Sequence, residues 1–162
     1  MDREKFIKLL EQKDLAGDKL PFNNPDGDCA AIVLGKMLEE NKIVRAYFHH
    51  LGGEILMKDD SLSKLEVFLN NPENKIEIII DDIDPFHDEL RRLFTFAKSI
   101  VNIRQSHILF KKEMSIDDGI RYFMTAGPKA YRSQPDSDIY MALGSFQDKD
   151  HTSVLNLSLI HI

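Results

Sequence analysis

The sequence predicts an α/β fold: a doubly wound, mainly parallel sheet with helices on both faces. Three observations carry that prediction. Short β-branched runs alternate with stretches whose apolar residues recur at helical spacing. Hydrophobic residues make up 43% of the 162 residues and are spread along the whole chain. No linker-like stretch and no internal repeat interrupts the alternation, so a single domain over residues 1–162 is expected, within the roughly 100–200 residues typical of one domain.

The elements follow in order. Phe6, Leu9 and Leu10 predict an amphipathic first helix from Asp2 to about Lys13, ending before Gly17. Lys19 to Phe22 is a short extended segment. Asn23-Asn24-Pro25-Asp26-Gly27-Asp28 is turn chemistry, and the apolar run from Cys29 to Leu38 after it predicts a mostly buried helix. Ile43 to Phe48 is a predicted strand, and Leu62, Leu65, Val67 and Phe68 mark a helix. Ile76 to Ile80 is the most strand-like run and ends at Asp81-Asp82. Asp88 to Lys98 is predicted helical, Ser99 to Ile103 extended, and the stretch from about Asp117 through Asp148 mainly helical. The terminal segment 154–162 carries six apolar residues. It either packs on the domain's own sheet, pairs as a strand through Leu155, Leu157 and Leu159, or lays Val154, Leu157 and Ile160 into a groove as a helix.

Composition excludes several functions. A formal charge of −6 and a pI near 5.5 argue against a surface that grips nucleic-acid phosphates throughout. The basic residues, among them Arg91-Arg92, Lys111-Lys112, Lys129 and Arg132, are scattered and read as solvated charges. The single Cys29 forms no internal disulfide and, in an apolar helix start, reads as a buried filler. No long apolar run or signal-peptide pattern opens the chain, so a soluble, cytoplasmic protein is expected.

Ligands of open parallel sheets gather at the carboxyl ends of strands, which singles out two acidic clusters. In Asp26-Gly27-Asp28 the glycine allows a tight turn with both carboxylates facing one hard cation such as magnesium or manganese. The same residues are also ordinary turn formers and helix caps. In Asp81, Asp82 and Asp84, Asp81 is the better ligand candidate because it lies nearest the strand. His49-His50 reads as a surface pair, and His87 and His107 are lone histidines nearer the loop face.

These residues resemble a known family. Asn24-Pro25-Asp26-Gly27-Asp28 with its small-residue helix is similar to the first motif of the DHH phosphoesterase superfamily, which includes RecJ exonucleases. Ile78-Ile79-Ile80-Asp81-Asp82 resembles the second motif, and Ala142 to Asp148 the fourth, a helix carrying a terminal Asp. The resemblance implies that Asp26, Asp28, Asp81 and Asp148 converge at the carboxyl edge of the sheet. An Asp148 on the opposite edge from Asp26 is the observation that breaks the assignment.

The chain also departs from that family. Phe22 stands where a histidine ligand is expected, and Asn102-Ile103-Arg104 where the defining Asp-His-His should be. Two-metal hydrolysis needs cations about 3.5–4 Å apart held by several carboxylates and imidazoles. With ligands missing and Arg104 cationic, the resemblance implies no catalytic residue and no metal cofactor, only a salt-bridged remnant at Asp26, Asp28, Asp81 and Asp148. The C-terminal substrate-clamp domain usual in the family is not expected either. Ligand-depleted relatives sit in replication complexes, so the resemblance implies a catalytically inactive, nucleoid-associated scaffold partnered by a GINS-type complex and the replicative helicase. The alternatives are a manganese- or magnesium-dependent phosphodiesterase or exonuclease working with a reduced site, and a module making weak single-stranded DNA contacts.

Overall fold

The computed structural model describes residues 2–106, 122–134 and 142–162. Helix α1 (Arg3–Leu15) is capped by Asp2, whose carboxylate accepts from the backbone of Glu4 and Lys5. Strand β1 (Phe22–Asn24) leads through Pro25-Asp26 into α2 (Gly27–Glu40). Next come β2 (Ile43–Phe48), α3 (Asp59–Leu69), β3 (Lys75–Ile80), α4 (Asp88–Phe96) and β4 (Val101–Gln105). Strands β5 (Tyr122–Ala126), β6 (Ala130–Gln134) and β7 (Ala142–Ser145) follow, and α5 (Lys149–His161) ends the chain.

The seven strands form one sheet in the order β1-β7-β6-β5-β2-β3-β4. It is mixed. Only β2, β3 and β4 pair in parallel, as expected for strands joined by the crossover helices α3 and α4. The pairs β2–β5, β5–β6, β6–β7 and β7–β1 are antiparallel. This corrects the expectation of a mainly parallel sheet, and the cause lies in one region. The stretch expected to be mainly helical from about Asp117 to Asp148 instead supplies β5, β6 and β7; its parts at 117–121 and 135–141 lie outside the described residues. Gly127, at φ 56°, with Pro128 and Lys129 closes a tight turn between β5 and β6, and a turn that short joins antiparallel neighbours.

Helices cover both faces. Phe6, Leu10, Val33, Leu34, Met37, Leu65, Phe68, Leu90 and Phe94 from α1–α4 pack with Val44, Ala46, Ile76, Ile78 and Met124 on one face of the sheet. On the other face, Leu155, Leu159 and Ile162 of the terminal segment cover Tyr47, Ile79, Phe123 and Tyr131. The terminal segment is therefore a helix seated on its own sheet. Leu155 and Leu159 are inward, while Val154, Leu157 and Ile160 stand exposed. No helix among the described residues is long and apolar enough to cross a membrane.

Candidate functional site

Strand direction decides which side chains can meet. β1, β2, β3, β4 and β6 run one way and β5 and β7 the other, so the ends of β1, β2, β3 and β6 share an edge with the start of β5. We call this the upper edge. Asp26 and Asp81 follow β1 and β3 there. Asp148 follows β7, whose last residue Ser145 pairs with Tyr131 near the start of β6, so Asp148 lies at the lower edge. The expected convergence of four carboxylates is thereby corrected, and the placement that breaks the DHH assignment is the one found. Asp26 and Asp81 also stand apart: β1 and β3 are separated by five strand steps, roughly 24 Å at about 4.8 Å per step. A pair of cations a few ångströms apart cannot be shared across that distance.

Each carboxylate has local work. Asp26 caps α2, accepting from the Cys29 backbone N–H at 2.8 Å, and that bond holds its carboxyl below the usual carboxylate range against a smaller opposing effect of burial. Asp28 pairs with Lys58 at 2.6 Å and is largely exposed. Asp148 caps α5, accepting from the His151 backbone N–H at 3.0 Å. Among the described residues, no group of three or more His, Cys, Asp or Glu is arranged to hold a metal ion.

The remaining motif positions are structural. Phe22 packs between Phe6 and Phe146 with ring centroids 6.3 and 5.2 Å away. Asn102, Ile103 and Arg104 lie in β4, and Arg104 donates through Nη2 to the carbonyl of Leu159 on α5 rather than to any of the four carboxylates. Cys29 is buried as expected, and burial, reinforced by Asp26, pushes its thiol up to about 11, which keeps it protonated and a poor nucleophile. Asp82 and Asp84 lie in the exposed loop after β3. His87 caps α4 through its ring, accepting from the Glu89 backbone N–H; His107 lies outside the described residues.

What the upper edge does assemble is a cavity of about 360 Å³ where β2 ends beside β5 and β6. Such a volume is in the range of small-ligand pockets, roughly 300–1,000 Å³. Its apolar floor includes Leu34, Leu51 and Leu56, and its polar wall is Arg132, Gln134, His49, His50 and Tyr122, with exposed Glu54 at the mouth. Arg132 is only 4% exposed. Its Nε donates to Asn24 Oδ1 at 2.8 Å and its Nη1 to Gln134 Oε1 at 3.1 Å, two bonds that orient the guanidinium plane. Burial pushes its pKa down to about 10, so it stays charged at neutral pH.

Beside that wall, Asp81 is buried in a cage of hydroxyls. Tyr47 Oη donates to its Oδ1 at 2.8 Å, Ser106 Oγ to Oδ1 at 2.6 Å, and Tyr122 Oη to Oδ2 at 2.9 Å. Burial and then the adjacent carboxylate push the Tyr47 phenol well above its ordinary value, so it remains a donor. His49 Nδ1 lies 3.3 Å from Tyr122 Oη and 3.6 Å from Asp81 Oδ2. His50 differs, since its Nδ1 accepts from the Gly52 backbone N–H at 3.0 Å. The loop after β2 that carries both rings depends on Gly53: its φ is 94°, and a Cβ there would stand 2.9 Å from His87 Cδ2 and Met57 Cγ.

The sequence reading counts Arg132 among solvated charges and His49-His50 as a surface pair. Both belong to the cavity wall. A signal for Arg132 was present in the alternation of β6, where Ala130, Arg132 and Gln134 share one face with Tyr131 on the other, but it needed the strand assignment first.

Comparison with known proteins adds the fold and no family. No family model matches the sequence, and no curated protein matches it. Among solved structures, the chain is similar to the polyphosphate kinase of Porphyromonas gingivalis, with a TM-score of 0.53 and 13% identity. The match covers 95% of this chain and 28% of that one, so this chain spans less than a third of that kinase's length, and the likeness is one of architecture.

Proposed function

We propose that the chain is a binding module whose upper-edge cavity takes a small phosphate-bearing anion without a metal ion. The observation that carries this reading is Arg132: a charged guanidinium, held in plane by Asn24 and Gln134, on the wall of a pocket of ligand size. A rigid, partly desolvated guanidinium suits a phosphate oxygen pair. His50 adds a donor, because a neutral ring whose Nδ1 accepts from Gly52 carries its proton on Nε2. Glu54 at the mouth favours a ligand that also offers a hydroxyl over a bare polyanion. The kinase with the similar fold is named for a phosphate polymer, which makes tripolyphosphate a sensible first probe beside a sugar phosphate.

Calorimetric titration of the chain with tripolyphosphate and with glucose 6-phosphate, in chelator, tests this reading. Both are expected to bind, glucose 6-phosphate more tightly because of Glu54, and His50→Gln is expected to weaken each about tenfold, the loss of one hydrogen bond to a charged group. Absence of binding to either probe at millimolar concentration would overturn it.

The replication-scaffold reading is a second proposal. It keeps in its favour only the Asn24-Pro25-Asp26-Gly27-Asp28 loop at the carboxyl end of a strand, because Asp148 lies on the opposite edge from Asp26, the observation that breaks the DHH assignment. It calls for a GINS-type or helicase partner and no hydrolysis. A pull-down from purified components with no retained partner would remove it, and manganese-dependent cleavage of single-stranded DNA abolished by Asp28→Ala with Asp81→Ala would favour the reduced-site enzyme instead.

A further inference from the structure

We infer that His49 is the hydrogen-bond acceptor of this cavity, its Nε2 poised to accept from a hydroxyl of the phosphate-bearing ligand; this rests on the binding reading above. The argument starts from hydrogen-bond polarity. Asp81 as a carboxylate can only accept, so the phenolic proton of Tyr122 is committed to Asp81 Oδ2 at 2.9 Å. Tyr122 Oη then meets His49 Nδ1, 3.3 Å away, with a lone pair, and the ring must supply the proton. A neutral imidazole that donates through Nδ1 has its free lone pair on Nε2. The ring lines the cavity, and its side chain is 41% exposed, so that lone pair is open to a ligand.

The neighbouring ring has the opposite polarity. His50 accepts at Nδ1 from Gly52 and donates at Nε2, with the two ring centroids 5.1 Å apart. The pair thus offers one acceptor and one donor beside Arg132. Together they suit a phosphate ester that also carries a hydroxyl, the phosphate facing Arg132 and His50 and the hydroxyl facing His49. In the complex the ligand's hydroxyl donates a hydrogen bond to Nε2, and no covalent bond is made or broken. The Asp81 carboxylate, 3.6 Å from Nδ1 and linked to it through Tyr122, holds the ring in that polarity.

Two-bond proton–nitrogen correlation spectra of the 15N-labelled chain, assigned with His49→Gln, read the tautomer directly. His49 is expected as the Nδ1–H form with unprotonated Nε2, and Tyr122→Phe is expected to shift it toward the Nε2–H form. Carbethoxylation by diethyl pyrocarbonate, followed by peptide mass analysis, is expected to label His49 several-fold faster than His50 and to be slowed by glucose 6-phosphate. An Nε2–H tautomer in the native chain would overturn the acceptor role while leaving ligand protection intact. The expected tautomer without protection by glucose 6-phosphate would overturn the ligand half and the binding reading beneath it.

Discussion

Asp81 shows how a residue can look like a metal ligand and serve as a clasp. Its carboxylate collects hydroxyls from the end of β2 (Tyr47), the start of β5 (Tyr122) and the residue after β4 (Ser106), so one side chain ties three strands to the end of β3. Asp81→Ala would leave those donors without their acceptor in a closed site, at a cost on the order of 3 kcal/mol, since single hydrogen bonds to charged groups are worth about 1.5–3. Asp81→Asn keeps one accepting oxygen and should cost less, a ranking that urea denaturation can check. Asp26 gives a pH-dependent case. Its carboxyl titrates below the unfolded value because the Cys29 N–H, and to a lesser degree other groups, favour its charge. A depressed carboxylate contributes stability above the unfolded pKa of about 3.9 and loses it as pH falls through the lower folded value. Asp26→Ala should therefore cost about 1 kcal/mol at neutral pH. Asp26→Asn should cost less at neutral pH, and its disadvantage relative to the wild type should vanish by about pH 2. An equal penalty at both pH values, measured by urea midpoints, would contradict the cap.

At the scale of elements, α2 and α3 depend on Gly35. A Cβ at that position would run into the backbone carbonyl of Asp60, in the first turn of α3, and would also touch Lys64 Cγ at 3.4 Å. Gly35→Ala should push α3 outward and cost about 1–3 kcal/mol in thermal or chemical denaturation, the usual range for overpacking. A neutral result would mean that the helices slide past each other freely. The elements that sequence reveals best are those with an unambiguous period or composition. Ile43–Phe48, Ile76–Ile80 and the helix starting at Asp88 lie where the pattern puts them, because β-branched runs and helical spacing leave no competing arrangement. β5–β7 were less legible for a physical reason. These strands are short, and β5 is buried on both faces over Phe123–Ala126, so it has no polar alternation, while Met124, Ala126, Ala130 and Ala142 are good helix formers. The Gly127-Pro128 turn was the available clue. The same misreading made Ala142–Asp148 look like a helix ending in a ligand, when it is strand β7 leading to the cap of α5.

For the whole molecule, strand order decides which chemistry is available, and strand order is what a single sequence conveys least. The motif spacing along the chain suits four gathered carboxylates. Inserting β7, β6 and β5 between β1 and β2 separates Asp26 from Asp81, and the downward course of β7 carries Asp148 to the other edge. The same insertion brings Arg132 and Tyr122 to His49, which lies more than 70 residues earlier in the chain. The last element closes the second face, and its two sides make a sharp contrast. Leu155 and Leu159 are buried against Tyr47, Ile79 and Phe123, whereas Leu157 on the same helix is 62% exposed. Leu155→Ala should cost about 2–5 kcal/mol, as for other buried leucines, and Leu157→Ala should stay within about 0.5 kcal/mol. Deleting residues 154–162 removes Leu155, Leu159 and Ile162 together. At about 1.5–3 kcal/mol for each buried side chain, that loss rivals the 5–15 kcal/mol that holds an ordinary domain together. The deletion is expected to abolish amide dispersion in a proton–nitrogen spectrum. A shortened chain that kept a dispersed spectrum and a cooperative urea transition would show that α5 is an appendage and that the sheet is held by its other face alone.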